Sequence, residues 1–208
     1  MASVQRFKYL MRTFDISTKH AQKVSHRAES AARSRKPLVE TKHRIMKSTQ
    51  RFNIENWIHT PEMCVGRFVA AEDTVYGSLK GSFSWGVWWK DENIGAYRIH
   101  DPFGNLITYR LDILRDVKMT SASDHDIIEF SDMIVDCWIW PDSDGAIDKK
   151  DITVDDLDEL KSAREAGKVR VQDYIMINNV TWDVLSHPQK YVTMIDVAIA
   201  EAIALNEQ

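Results

Sequence analysis

Ile127–Trp140, within the run IIEFSDMIVDCWIWPDSDG, holds the carboxylates most suited to chemistry. On an extended strand Asp132, Ile134, Asp136, Trp138 and Trp140 point one way, with Met133, Val135, Cys137 and Ile139 opposite. Both faces are largely apolar, so the strand reads as buried on both sides. Two carboxylates inside it are unfavourable unless paired, hydrogen-bonded or bound to a cation. Hard divalent ions take oxygen ligands, and Mg²⁺ binds one or two carboxylates together with water and substrate phosphate. The competing reading is an edge strand on which Asp132 and Asp136 face water. Positions i and i+4 lie roughly 13 Å apart on an ideal strand, so a single site requires twist, a bulge, or two separate ions. Downstream, WPDSDGAIDKKD fits part of an EF-hand loop, but Trp140 occupies the first ligand position and Asp151 the last, where a bidentate Glu is expected. The segment reads as a β-turn.

DMIVDCWIWPDSDG, followed after a short gap by DLDELKSAREAGKV, and the earlier TYRLDI resemble the FomD-like family, the domain of unknown function 402, which includes nucleoside tri- and diphosphate phosphatases. The shared pattern is an Asp, three residues, a second Asp and a hydrophobic strand ending in Pro-Asp. An acidic Asp-x-Asp-Glu then opens a helix that closes in Ala-Gly-basic-aliphatic, and the likeness covers about residues 95–186. The resemblance implies a small antiparallel barrel with C-terminal helices that binds Mg²⁺ or Mn²⁺ and hydrolyses nucleotide phosphates or nucleotidyl esters. It places metal carboxylates on Asp132, Asp136, Asp156 and Glu159, and puts Asp112 where the family carries Asn. Ile134 stands where some members have a further acid, a departure that weakens a second metal site. By spacing alone, Asp156 and Glu159 share a helix face. So do Asp155 and Asp158, one residue out of register, and an acidic first turn that favours the helix dipole is the competing use.

The resemblance further implies a basic residue early in the barrel as proton donor. Arg51 in STQRFNIENW is the candidate, with Arg44 behind it, and Lys90, which closes GVWWK, is a second cation for phosphate oxygens. Each can equally be a solvated surface residue. The aromatic strand Trp85–Trp89 and the pair Trp138 and Trp140 offer faces for a nucleobase, core packing being the competing use.

These groups are carried by a chain of α+β type. From Asp15 to about Lys36 it reads as a basic, Ala-rich helix. Between Pro37 and Pro141 come short β-type runs: Leu38–Met46, Arg51–His59, Gly66–Ala71, Val75–Leu79, Phe83–Lys90, Gly95–His100, Leu106–Leu114 and Ile127–Trp140. Turn-rich separators such as Asp101–Asn105 imply hairpins, hence an antiparallel β-barrel-like body. After Asp142 helices are expected over Val154–Ala166, Val171–Leu185 and Gln189–Asn206. The organisation is a basic helical extension, residues 1–36, and a barrel domain with C-terminal helices, residues 37–208.

Charge divides the chain in the same way. Residues 1–50 hold twelve Lys/Arg against Asp15, Glu29 and Glu40, whereas residues 51–208 hold fifteen against twenty-eight Asp/Glu. The leader reads as a solvated helix, an arm that touches RNA or another polyanion, or an organellar transit segment. No stretch approaches the roughly 20 apolar residues that cross a bilayer, so no membrane partner is expected. Two cysteines, Cys64 and Cys137, provide no disulfide framework, and a cytoplasmic location is expected, or an organelle if the leader is a transit peptide. The leading functional reading is a metal-dependent phosphohydrolase with a nucleotide substrate. A non-catalytic RNA- or nucleotide-binding module is the alternative.

Overall fold

Runs rich in β-branched and aromatic residues, each ended by Gly, Asp, Asn or Pro, form seven strands in the computed structural model: β1 (Leu38–Arg44), β2 (Gln50–His59), β3 (Met63–Val69), β4 (Phe83–Trp89), β5 (Ile94–His100), β6 (Leu106–Ser121) and β7 (Asp126–Ile139). The structure describes residues 36–72, 79–142, 147 and 151–206, which lie in one compact unit, Arg33–Gln208. Each strand is antiparallel to the next, and β1 returns to pair in parallel with β7, from Leu38 opposite Asp126 to Arg44 opposite Asp132. An up-and-down chain with an odd number of strands brings its first and last strands back in the same direction. The expected antiparallel body is therefore a closed mixed barrel, and closure leaves β1 and β7 without a free edge.

One end of the barrel interior is plugged by Leu38, Ile54, Cys64, Trp88, Leu114, Ile128 and Phe130. Trp88 fits because its neighbours lack side chains: a Cβ at Gly95 would stand 2.8 Å from the indole and 2.7 Å from Leu114. Outside, Val65, Val87, Ala96, Leu111 and Cys137 pack against the C-terminal helices. These are α1 (Leu157–Glu165), α2 (Val171–Ser186) and α3 (Pro188–Asn206). The face of α3 that meets the barrel repeats every three or four residues, through Val192, Ile195, Ala198, Ile199 and Ala202.

Two expectations change. The helix expected from Val154 begins instead at Leu157, because Ile152–Asp155 forms an eighth strand, β8, antiparallel to β7. Its β-branched Ile152, Thr153 and Val154 suit pairing with the end of β7. β6 runs on to Ser121, past the expected end at Leu114, through two register shifts against β7. The basic helix expected over Asp15–Lys36, except Lys36, which is not helical, the strand over residues 75–78 and most of the EF-hand-like loop fall outside the described residues, and Leu79 belongs to no strand. Among the described residues, no helix is long and apolar enough to cross a membrane.

Candidate active site

The two strand carboxylates are brought into one site by a bulge. Asp112 is opposite Asp136 and Leu114 opposite Asp132, so β7 advances four residues where β6 advances two. At its centre Ile134 takes the left-handed region at φ 81°, an outlier for a β-branched residue. Its backbone N–H donates to Asp132 Oδ1 at 2.9 Å. Strict alternation would have placed Ile134 between the two carboxylates. Instead its side chain joins Met133 and Val135 in the cluster formed with Leu160, Ala163, Val169 and Ile177.

Inside the barrel these acids meet cations. Lys42 Nζ lies 2.8 Å from Asp112 Oδ2 and 3.1 Å from Asp132 Oδ2, with Arg44 Nε 3.8 Å from Asp132. Arg110 Nε is 2.7 Å from Asp112 Oδ1, and its Nη2 donates to Oδ2 at 3.1 Å. Tyr97 donates its hydroxyl proton to the buried Glu40 at 2.8 Å. Burial alone would raise Asp112, yet Arg110 and Lys42 hold it below the usual carboxylate range. Asp136 behaves oppositely: burial, then the charge on Asp112, pushes it up to about 8. Oδ1 is buried without a hydrogen-bond partner in both residues, but Asp112 Oδ2 accepts from Lys42 and Arg110.

The remaining predicted residues lie on β2, just beyond β4 and at the start of α1. Asp155, at the end of β8, is the cross-strand partner of Asp136. Asp156 is exposed in a left-handed conformation, φ 64°, at the start of α1, where its carbonyl accepts the Leu160 N–H. It therefore caps the helix rather than sharing a helical face with Glu159. Glu159 is half-buried and ion-paired with Lys47. Residues 154–159 line an open depression of about 470 Å³. Arg51 is exposed on β2 opposite Thr41, and Lys90 is exposed just beyond β4. Neither is among the cations paired with Asp112, Asp132 or Glu159; those are Lys42, Arg44, Arg110 and Lys47. Lys42 and Arg110 were detectable by alternation, since Glu40 and Lys42, and Arg110 and Asp112, are each two apart on a strand.

Among the described residues, no three His, Cys, Asp or Glu side chains are grouped so as to hold a metal ion. The donors nonetheless fit a hard divalent ion in kind. Asp112, Asp132 and Asp136 offer carboxylate oxygens, and Asp136 Oδ1 is buried without a hydrogen-bond partner.

A closed seven-stranded barrel backed by C-terminal helices, with charges gathered inside, defines the class of fold. Two solved structures share it. The phosphatase SC4828, solved with the non-hydrolysable nucleotide GPCP, superposes with a TM-score of 0.56 at 8% identity, over 78% of this chain and 85% of its own. FomD in complex with CDP superposes with a TM-score of 0.52 at 10% identity, over 72% and 82%. The chain thus has the fold that the FomD-like resemblance implied. No family profile matches the sequence, and no curated protein matches it.

Proposed function

We propose that the chain is a phosphohydrolase of nucleoside di- or triphosphates or nucleotidyl esters, working with Mg²⁺ or Mn²⁺. The observation that carries this reading is the buried cluster in which Lys42 and Arg110 surround Asp112 while Oδ1 of Asp136 is left without a hydrogen-bond partner. Asp112, Asp132 and Asp136 would hold the ion, with Asp156 and Glu159 contributing from the start of α1. A divalent ion held there would supply charge to neutralise phosphoryl oxygens and to lower the pKa of an attacking water. Burial and the neighbouring Asp112 charge favour the protonated form of Asp136, and a bound cation would favour its carboxylate. Arg110 and Lys42 supply fixed positive charge for the phosphates and, with Arg44, for the leaving oxygen. That both structural neighbours were solved with nucleotides supports a nucleotide ligand. Two buried free thiols, Cys64 and Cys137, accord with a reducing cytoplasmic setting.

The test is phosphate release from a nucleotide panel with Mg²⁺ or Mn²⁺, alongside direct Mn²⁺ binding by electron paramagnetic resonance. Asp136→Asn and Glu159→Gln are each expected to lower turnover at least about a hundredfold, and Asp136→Asn to weaken Mn²⁺ binding. Full activity in both variants rejects the assignment. Absence of hydrolysis in the wild type, with RNA or nucleotide binding retained, turns the conclusion to a non-catalytic binding module, which the positive charge of residues 1–50 favours.

A further inference from the structure

A stack of side chains runs from the buried charges to the outside of the barrel. The Arg110 guanidinium lies 4.4 Å from the centre of the Tyr97 ring and 5.5 Å from that of Trp138. Trp138 stacks in turn on Trp140, with ring centres 5.8 Å apart and planes 11° from parallel. Trp140, one residue past β7, is 42% exposed, so packing does not account for it. Its ring is tethered all the same, with Nε1 3.4 Å from Thr153 Oγ1 on β8. Within the stack Trp138 Nε1 is buried without an acceptor, a donor that a bound anion would satisfy.

We infer that Trp140 is a nucleobase-stacking face: a nucleotide whose phosphates meet Arg110 and Lys42 lays its base on the outer indole. The inference rests on the phosphohydrolase reading for the phosphate end and adds the other end of the substrate. One rigid column joins the cation to the aromatic face, as a ribose joins phosphate to base. Every base has a π face, so stacking accepts purines and pyrimidines alike. The site then selects nucleotides over inorganic polyphosphate without selecting among bases.

Trp140→Leu keeps an apolar side chain and removes the π face; Trp140→Phe restores a smaller one. Rates are measured with a purine nucleoside triphosphate, a pyrimidine nucleoside triphosphate and inorganic tripolyphosphate. In Trp140→Leu, KM is expected to rise about five- to hundredfold for both nucleotides, with kcat little changed, tripolyphosphate unaffected and Trp140→Phe recovering most of the loss. Unchanged nucleotide KM, or an equal rise for tripolyphosphate, overturns the inference. Should the wild type hydrolyse none of the three, the phosphohydrolase reading fails on its own, and calorimetric binding of the same compounds decides. Nucleotide binding weakened in Trp140→Leu, with tripolyphosphate binding unchanged, upholds the stacking face. Equal binding of nucleotides by both proteins overturns it.

Discussion

At Ile134 the backbone holds φ 81°, a conformation that costs an L-residue with a side chain about 1–2 kcal/mol. Packing of the side chain against Leu160 and Ile177 offsets it, and the result is that the charges of Asp132 and Asp136 both act on Lys42. Ile134→Ala and Ile134→Gly both lose that packing. Gly is nevertheless expected to be the more stable of the two by about 1 kcal/mol, the reverse of the order in an ordinary strand. Urea unfolding of the pair checks this, and Ala equal to or better than Gly would show that the left-handed conformation is not held in solution. Lys42 is the complementary case, for it bridges the fully buried Asp112 and Asp132. Lys42→Met leaves a buried carboxylate without one of its partners and is expected to lose about 3–5 kcal/mol in the same measurement.

Helix α1 and the start of α2 fix the acidic depression relative to the barrel. α1 ends in a Schellman motif: Gly167 at φ 67° donates to the Arg164 carbonyl at 2.9 Å, and Lys168 donates to that of Ala163 at 2.9 Å. Gly167→Ala is expected to cost about 1 kcal/mol, read from the thermal midpoint. At the first turn of α2, Asp173 receives Nε and Nη2 of Arg170 at 2.7 and 2.8 Å, and Arg115 of β6 bonds the same carboxylate. Arg170, then Arg115, hold Asp173 at about 2, below its ordinary 3.8. Between those values the unfolded chain binds the extra proton. The carboxylate's stabilisation is therefore complete above pH 3.8 and lost as pH falls towards 2. Asp173→Asn is expected to be about 1.5–3 kcal/mol less stable than wild type at pH 6, with the gap narrowing towards pH 2. A gap independent of pH would contradict the clamp.

For the molecule as a whole, the charge asymmetry separates the proposed hydrolysis from any polyanion contact. Removing residues 1–36 deletes nine lysines and arginines but none of the barrel cations Lys42, Arg44, Lys47 and Arg110. Nucleotide hydrolysis is expected to survive, while RNA binding weakens and its salt dependence flattens by about 0.7 in logarithmic slope for each phosphate that the truncated chain no longer neutralises. Filter binding across a salt series, beside the phosphate-release assay, measures both. Loss of hydrolysis on truncation would tie the leader to the proposed activity.

Local signals carried much of this architecture. The order of β1 to β7 and of the three helices, and α2 and α3 to within about a residue, follow from hydrophobic period, Gly167 and Pro188, which act through nearby backbone; β8 does not. Asp132 and Asp136 stood out because carboxylates in an otherwise apolar strand demand compensation. Folding in three dimensions settled the identity of that compensation. Lys42 reaches Asp112 across 70 positions of chain, and alternation along β1 or β6 says which residues share a face without saying that the face lines a barrel. The bulge at Ile134 likewise has no local marker such as glycine; it arises because β6, α1 and α2 together hold Met133, Ile134 and Val135. Short-range propensities write the elements, whereas long-range packing selects which charges meet.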